Sequence, residues 1–250
     1  MKKVQKSIKY ISLTVAFLLS VFMIDIFVQI VFSVAGSISG WDSETVDEKK
    51  EFTSHIIDSF QIDAGNCNVK LETGGMNGIQ VYTNKKDITV QAIGRKILIK
   101  SKSWFSLNDS NARVRIVIPK DLVCHDVKIK VGMGQVSIGE VKIDRLDTNI
   151  SVGQLKIEGG VTESANLLIG VGDAKIQGCY EEMLSAEVAI GEICVNEVGD
   201  LNQYTIHAES EIGNVELDYK TFESEDWKKG KIKMELECGL GDIQILSSGM

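Results

Sequence analysis

Apolar and polar residues alternate along most of the chain after residue 126, and glycine interrupts the alternation at a fixed spacing. Glycines 134, 153, 172 and 191 follow one another every 19 residues, and Gly213 and Gly241 continue the series after gaps of 22 and 28. Positions 7, 5, 3 and 1 before each glycine and 2 and 4 after it form six columns. Of these 36 positions, only Thr148 and Ser210 are polar. Alternation of period two predicts β-strands with one buried face.

A glycine at the same point of each copy predicts a corner between two strands, because glycine adopts backbone conformations that other residues avoid. Each copy then consists of a long strand, a corner, a short strand and a return segment. A period near 20 residues without a helix predicts an all-β fold, a β-solenoid (β-helix-like) with coils of about 19 residues stacked about 4.8 Å apart. Leucine-rich repeats need an asparagine ladder and a helical turn in each copy, and this sequence has neither. The predicted corner glycines are Gly65, Gly134, Gly153, Gly172, Gly191, Gly213 and Gly241.

Gly65 belongs to a weaker form of the same pattern upstream. The stretch FQIDAGNCNVKLE fits the columns with Gly65 as the corner, and shorter strand-like segments follow it. Residues 58–126 are therefore predicted to form an irregular N-terminal β section that caps the regular coils of residues 127–250. Residues 36–57 are predicted to be a linker or stalk, in which Thr45 and Glu48 have the spacing of a helix capping box. Residues 220–230 are predicted to project as a loop.

Residues 10–35 form an apolar stretch of 26 residues with one formal charge. About 20 apolar residues suffice for a transmembrane helix. Lysines 2, 3, 6 and 9 precede it, so the positive-inside rule predicts a cytoplasmic tail at residues 1–9 and an extracytoplasmic C-terminal domain on a single-pass cell-membrane protein. A signal peptide cleaved after residues 33–35 is the alternative. Asp25 and Gln29 share one helix face, where a carboxyl favours a polar partner within the membrane.

Composition and cysteine spacing narrow the range of partners and of metal or disulfide sites that the chain can have. A formal net charge of -8 argues against nucleic acid as a partner. The five cysteines have no repeated spacing and no C-x-x-C, which argues against a disulfide framework or a zinc site. Asp173, Glu192 and Asp242 each follow a corner glycine, but calcium-binding β-rolls use a nine-residue repeat. The prediction is a protein without metal, cofactor or catalytic residues.

The positions four residues before the corner glycines point outward in the predicted coils, and their charge changes along the chain. In sequence order they are Lys130, Asn149, Leu168, Glu187, Glu209 and Glu237. A solvated face is one interpretation of this row. The other is an outward acidic face, made of Glu187, Glu209 and Glu237, that binds a cationic partner.

Several stretches together resemble the bacterial putative-adhesin family, a domain of unknown function. They are GNCNVKLE at 65–72, RKILIK at 95–100 and VRIVIPKDL at 114–122, followed by VGQLKI, VGDAKI, IGEICV, IGNVEL and LGDIQI. The resemblance covers residue 58 to the C-terminus. It implies a β-solenoid at the cell surface, behind one N-terminal transmembrane helix, and provides no catalytic residues to transfer.

The predicted function is a non-catalytic module for binding, adhesion or interaction with the cell envelope, with a protein or an envelope polymer as partner. The alternatives are a β-helix carbohydrate-active enzyme and a self-assembling β-helix scaffold. The last copy ends five residues after Ile245, too few for a cap. This predicts a free edge on the C-terminal coil, where homo-association or strand addition would occur, unless the 220–230 loop covers it.

Overall fold

The computed structural model describes residues 48–53, 56–74, 78–101, 112–196, 200–221, 227–228 and 230–247. All of them belong to one compact unit, Glu44–Met250. The predicted membrane segment, with Asp25 and Gln29, lies outside the described residues. Within these ranges no helix has the length and apolarity that a membrane crossing requires.

The described residues are nearly all in β-strands. The strands are β1 Glu48–Thr53, β2 Ser59–Gly74, β3 Gly78–Thr83, β4 Ile88–Ile93, β5 Lys96–Ser101, β6 Ala112–Pro119, β7 Val123–Ile138, β8 Lys142–Ile190, β9 Ile193–Asn196, β10 Tyr204–Ile212, β11 Val215–Leu217, β12 Lys220–Thr221, β13 Trp227–Lys228, β14 Ile232–Leu240 and β15 Ile243–Leu246. A short 3₁₀ turn, Leu201–Gln203, precedes β10. The predicted all-β, β-solenoid-like fold is confirmed.

The strands wind into stacked coils that pair in parallel with their neighbours. In spatial order, coil 1 is β5 with β6, coil 2 is β2, coil 3 is β7, coils 4 and 5 are residues 142–157 and 161–176 of β8, coil 6 is residues 180–190 with β9, coil 7 is β14 with β15, and coil 8 is β10 with β11. From coil 3 to coil 6 the register advances 19 residues per coil, as in the pairs Val127 with Leu146 and Ala174 with Ile193.

Five of the six apolar columns form the core. Positions 7, 5 and 3 before the corner and 2 and 4 after it are buried in coils 3 to 8, apart from the half-buried Ser210. The column directly before the corner is not part of the core, which corrects the predicted pattern. It is half-buried at Met133, and its exposed fraction reaches 39% at Ile190, 49% at Leu240 and 66% at Ile212. At the bend these side chains point away from the coil interior.

The corner glycines stack directly on one another's backbone. At the six corners from Gly134 to Gly241, φ lies between 137° and 156°, a conformation that L-residues rarely adopt. A Cβ atom on Gly153 would lie 1.8 Å from the carbonyl oxygen of Gly134, and one on Gly172 would lie 1.7 Å from that of Gly153. Since backbone atoms cannot move aside, this contact requires glycine.

Gly65 does not occupy this column, so the predicted register of the upstream copy is off by two residues. Ala64 pairs with Val131 and Val69 with Val136, which places Cys67 opposite the corner at Gly134. The Cys67 carbonyl oxygen is the atom that a Cβ on Gly134 would meet, at 2.3 Å. Gly65 instead lies against Gly132, two residues before the corner.

The spatial order of the coils differs from the chain order at both ends. Coil 2 precedes coil 1 in sequence but lies between coil 1 and coil 3. Coil 7 is the last in sequence but lies between coil 6 and coil 8. The predicted free edge on the C-terminal coil is therefore wrong, because residues 232–240 pair with strands on both sides.

Antiparallel strands lie against the outermost coils. β4 pairs with β5, and β3 pairs with β6 and β1, at the coil 1 end. Glu48–Thr53 is thus a strand, and the predicted capping-box helix does not begin there. At the other end β12 pairs with β11, and β13 pairs with Thr205 and Ile206 of β10. Both ends of the 220–230 segment therefore pair with coil 8 and do not project as a loop.

A charged cluster connects coils 2, 3 and 4 to the turn before β5. The Asp58 carboxylate accepts hydrogen bonds from Arg95 Nε at 2.8 Å and from Ser59 Oγ at 2.9 Å. His125 Nε2 lies 3.8 Å from the same carboxylate, and His125 Nδ1 contacts the carboxylate of Asp144. The hydrogen bond with Asp144 raises the pKa of His125, and the hydrogen bond from Arg95 lowers the pKa of Asp58. Alternating charges thus hold successive coils together.

We expect Gly172→Ala to destabilise the protein much more than Gly94→Ala. Both glycines have positive φ, but a Cβ at position 94 meets nothing within 4 Å, whereas one at position 172 overlaps the Gly153 backbone. Gly94→Ala should cost about 1–2 kcal/mol from backbone strain, and Gly172→Ala at least about 3 kcal/mol from strain and overlap together. Thermal or denaturant unfolding measures both, and equal losses would contradict the stacked corner.

The His125 cluster predicts a pH-dependent contribution to stability. The pKa of His125 is raised in the folded state. Its contribution to the free energy of unfolding is therefore complete below the ordinary pKa of 6.5 and is lost as the pH rises through the raised pKa. Asp58 contributes above its ordinary value of 3.8 and loses its contribution as the pH falls through its lowered pKa. His125→Gln should therefore lower the Tm more at about pH 5.5 than at about pH 8.5.

The matched control is Asp144→Asn, which removes the main cause of the raised His125 pKa. In that background His125→Gln should have nearly the same effect at both pH values. A Tm difference between the wild type and His125→Gln that does not change with pH would contradict the assigned role.

Candidate interaction face

The outward side chains of the long strands form one continuous exposed surface, here named the long face. It consists of the residues 8, 6, 4 and 2 positions before the corner in coils 2 to 8. Parallel pairing in register places equivalent residues of neighbouring coils about 4.8 Å apart, so each position becomes a row across the stack. The row four residues before the corner comprises, in spatial order, Asp63, Lys130, Asn149, Leu168, Glu187, Glu237 and Glu209.

The acidic residues of that row form a ladder on three neighbouring coils. Glu237 pairs in register with Glu187 on one side and with Glu209 on the other, and all three are exposed. The structure therefore brings together the three predicted glutamates, with Glu237 in the middle. Like charges at this spacing repel one another in the free protein, and a cationic partner would relieve the repulsion. His207 Nε2 lies 4.0 Å from the Glu209 carboxylate at the end of the ladder.

The other end of the long face carries lysines. Lys128 and Lys130 are exposed on coil 3. The Lys128 ammonium lies 3.7 Å from the Asp126 carboxylate and 3.7 Å from that of Asp147 on the next coil. The long face is therefore of mixed charge around coil 3 and acidic around coils 6 to 8.

A shallow groove of about 340 Å³ runs between two rows of the long face over coils 2 to 5. It is lined by Gln61, Ile62, Asp63, Lys128, Ile129, Lys130, Asp147, Thr148, Asn149, Asn166 and Leu168. Thr148, the polar exception of the sequence pattern, is buried, and its hydroxyl has no hydrogen-bond partner. The groove ends at the exposed side chain of Leu168.

An apolar row lies at the corner of the same three coils, three residues after the acidic ladder along each strand. Ile190, Leu240 and Ile212 are paired in register on coils 6, 7 and 8 and are the exposed corner residues described above. The sequence pattern assigned them to the core because they continue the period-two alternation. The change of direction at the following glycine, which only the structure defines, makes them part of the surface.

Two of the acidic residues after the corner glycines, Asp173 and Asp242, accept hydrogen bonds from neighbouring coils. Gln154 Nε2 donates to the Asp173 carboxylate at 3.4 Å, and the backbone N–H of Asn214 donates to Asp242 Oδ1 at 2.7 Å. Among the described residues, no three His, Cys, Asp or Glu side chains are arranged to hold a metal ion. The five cysteines are free thiols, and burial raises the pKa of Cys67 to about 12.

The cluster of Asp58, Arg95, His125 and Asp144 is the constellation that sequence reasoning missed. His125 and Asp144 are 19 residues apart, which is one coil, so the repeat spacing would have predicted their contact. Asp58 and Arg95 are 37 residues apart, and their contact depends on the exchanged order of coils 1 and 2, of which the sequence gives no signal.

Comparisons with known proteins agree with this architecture. Residues 45–245, which is most of the chain, match the family described as Toastrack DUF4097. Among curated proteins no match is found. The family match over residues 45–245 confirms the resemblance to putative-adhesin domains of unknown function.

Several solved structures are similar to this chain at low sequence identity. A "putative cell adhesion protein" from Clostridium sporogenes is 17% identical with a TM-score of 0.47, over 81% of this chain and 99% of its own. A "putative adhesin" from Bacteroides fragilis is 15% identical with a TM-score of 0.39, over 81% and 97%. A "Putative lipid binding protein" from Parabacteroides distasonis is 14% identical with a TM-score of 0.31, over 80% and 96%. On the strength of the family match, the chain belongs to the Toastrack DUF4097 family.

Proposed function

We propose that this protein is a membrane-anchored, extracytoplasmic and non-catalytic binding module whose long face docks a cationic partner. The observation that carries the proposal is the ladder of Glu187, Glu237 and Glu209, three exposed carboxylates in register on neighbouring strands. A partner with a row of basic groups would neutralise all three at once. Such complementarity gives specificity and fast association.

The neighbouring apolar row supports a protein partner. Ile190, Leu240 and Ile212 are exposed on the strands that carry the ladder, three residues further along each strand, and exposed apolar side chains grouped together are typical of protein interaction sites. Three exposed carboxylates of the same environment, repeated at coil spacing, differ from the two unlike carboxyl groups that a glycosidase uses as acid and base. The arrangement therefore favours binding over carbohydrate hydrolysis.

The proposed location rests on the N-terminal sequence. The lysines before the apolar segment and the acidic residues after it favour a cytoplasmic N-terminus and an external domain. In this orientation the long face would meet envelope proteins and polymers outside the cell membrane.

A C-terminal tag on the full-length protein should be removed by protease added to intact, wall-stripped cells. An N-terminal tag should survive until the membrane is permeabilised, which provides the matched control in the same sample. Immunoblotting of the two tags measures the outcome. A C-terminal tag that is protected until permeabilisation would contradict the proposed orientation.

The acidic ladder should dominate binding of a cationic probe. Full-length protein in detergent micelles is titrated with polylysine at low and high salt. We expect the triple variant Glu187→Gln, Glu209→Gln, Glu237→Gln to bind about tenfold more weakly at low salt, with the difference shrinking as salt screens the charges.

The control variant makes the same change in net charge elsewhere on the surface. Glu140, Glu163 and Glu181 are exposed and lie outside the long face, and their replacement by glutamine should leave most of the binding intact. If both triple variants lose the same affinity, the protein binds cations through its overall charge, and the proposed docking face is wrong.

A further inference from the structure

We propose that the long face binds the long face of a second copy of this protein, in a twofold-symmetric dimer centred on Leu168. This inference rests on the proposed function of the long face as a docking surface, and it identifies one partner chemistry: the lysine-bearing half of the same face. The axis lies between the two faces and runs parallel to their strands.

Rotation about such an axis keeps each row opposite itself and reverses the order of the coils. With the axis at coil 5, coil 5 faces its own copy, coil 4 faces coil 6, coil 3 faces coil 7 and coil 2 faces coil 8. An interface of this kind is isologous, so every contact away from the axis occurs twice.

The charges of the long face become complementary in this arrangement. In the row four residues before the corner, Lys130 faces Glu237 of the partner copy. In the row six residues before it, Lys128 faces Glu235. In the row eight residues before it, Asp126 faces Lys233, an ion pair of the opposite polarity. These facing positions follow from the register of coils 3, 6 and 7, and each ion pair occurs twice.

On the axis itself, the long-face residues of coil 5 carry no charge. Leu168, with 37% of its surface exposed, faces its own copy on the axis. In the next row outward Asn166 also faces its own copy, and an asparagine amide both donates and accepts hydrogen bonds. Asn149 faces Glu187 and can donate to its carboxylate. An uncharged centre with charged pairs around it agrees with the depletion of charged residues at the core of protein interfaces.

Small residues permit close approach along one side of the face. The row two residues before the corner consists, over coils 3 to 7, of Gly132, Ser151, Gly170, Ala189 and Gly239. With few protruding atoms in this row, two such sheets can approach to the face-to-face distance of about 10 Å seen in β-sandwiches.

The area available is that of a stable dimer. Seven coils at about 4.8 Å and strands of about eight residues at about 3.3 Å each give a face of roughly 900 Å². A standard protein interface buries about 800 Å² on each partner. The long face therefore suffices without any contribution from the corners or loops.

The charges also favour this axis over one shifted towards coil 6. With the axis at coil 5, the one unfavourable pair is Asp63 opposite Glu209, at the rim, where water screens it. Moving the axis half a coil towards coil 6 places Asp147 opposite Glu235 and Arg145 opposite Lys233. Each of these pairs repels and occurs twice, so this shifted arrangement is disfavoured.

Exchanging the charges of one ion pair tests the dimer. Analytical ultracentrifugation of full-length protein in detergent micelles, over a range of protein concentrations, measures dimerisation. Lys130→Glu and Glu237→Lys should each weaken dimerisation about tenfold or more, because each creates two like-charge pairs. The double variant should restore it, because the exchanged residues face each other again across the axis. The exposed Lys175, on the short-strand side of coil 5, supplies the control: Lys175→Glu should leave dimerisation unchanged.

Cross-linking tests the centre of the interface. In a background with Cys179→Ser and Cys194→Ser, Leu168→Cys should form covalent dimers with a short bismaleimide, and Lys175→Cys should not. A protein that stays monomeric at all concentrations, single variants that the double variant does not rescue, or equal cross-linking at the two sites would overturn the proposal. If the protein is monomeric and the ladder variant still loses polylysine binding, the dimer is wrong but the docking function is supported. Failure of the dimer and failure of the docking function are therefore distinguishable.

Discussion

The contact between successive corners determines the position of every coil from coil 3 to coil 8. Each corner glycine lies so close to the backbone of the preceding corner that no side chain fits between them. A coil that slipped by one residue would place a Cβ atom in that contact and would also turn its apolar column outward. The longer gaps before Gly213 and Gly241 are therefore accommodated outside the strands that pair in parallel between coils. Leu201–Gln203 forms a 3₁₀ turn, and β12 and β13 pair antiparallel with coil 8.

A fixed register converts sequence positions into surface rows. A single outward glutamate is an ordinary solvated residue, but three at the same position of neighbouring coils form a ladder with an extended field. The same geometry produces the lysine-bearing half of the long face and the apolar row of Ile190, Leu240 and Ile212. A surface of equivalent residues repeated on neighbouring coils needs no cleft to bind a partner. An active site differs in this respect, because unlike groups converge there on one point.

The exchanged coils at the two ends address the problem of open edges. If the first and last copies in the sequence were outermost, other segments would have to pair with the N–H and C=O groups of their outer edges. In this fold the internal copies are outermost, and the segments that follow or precede them return as antiparallel strands such as β4 and β12. The Asp58 cluster strengthens the first of these junctions, because it links the turn before β5 to coils 2, 3 and 4.

The sequence by itself determined the repeat, five of the six predicted buried columns and the six corners from Gly134 to Gly241, because alternation and fixed spacing reflect local backbone geometry. It predicted the outward glutamates for the same reason. It misplaced the corner of the first copy at Gly65, since the wrong and the true registers differ by two residues and leave the same side chains inward. Only the tertiary structure decided that Glu237 lies between Glu187 and Glu209, that coil 7 is covered on both sides, and that Asp58 meets Arg95. These features depend on which distant strands pair, and strands with equivalent alternation do not encode their order in the stack.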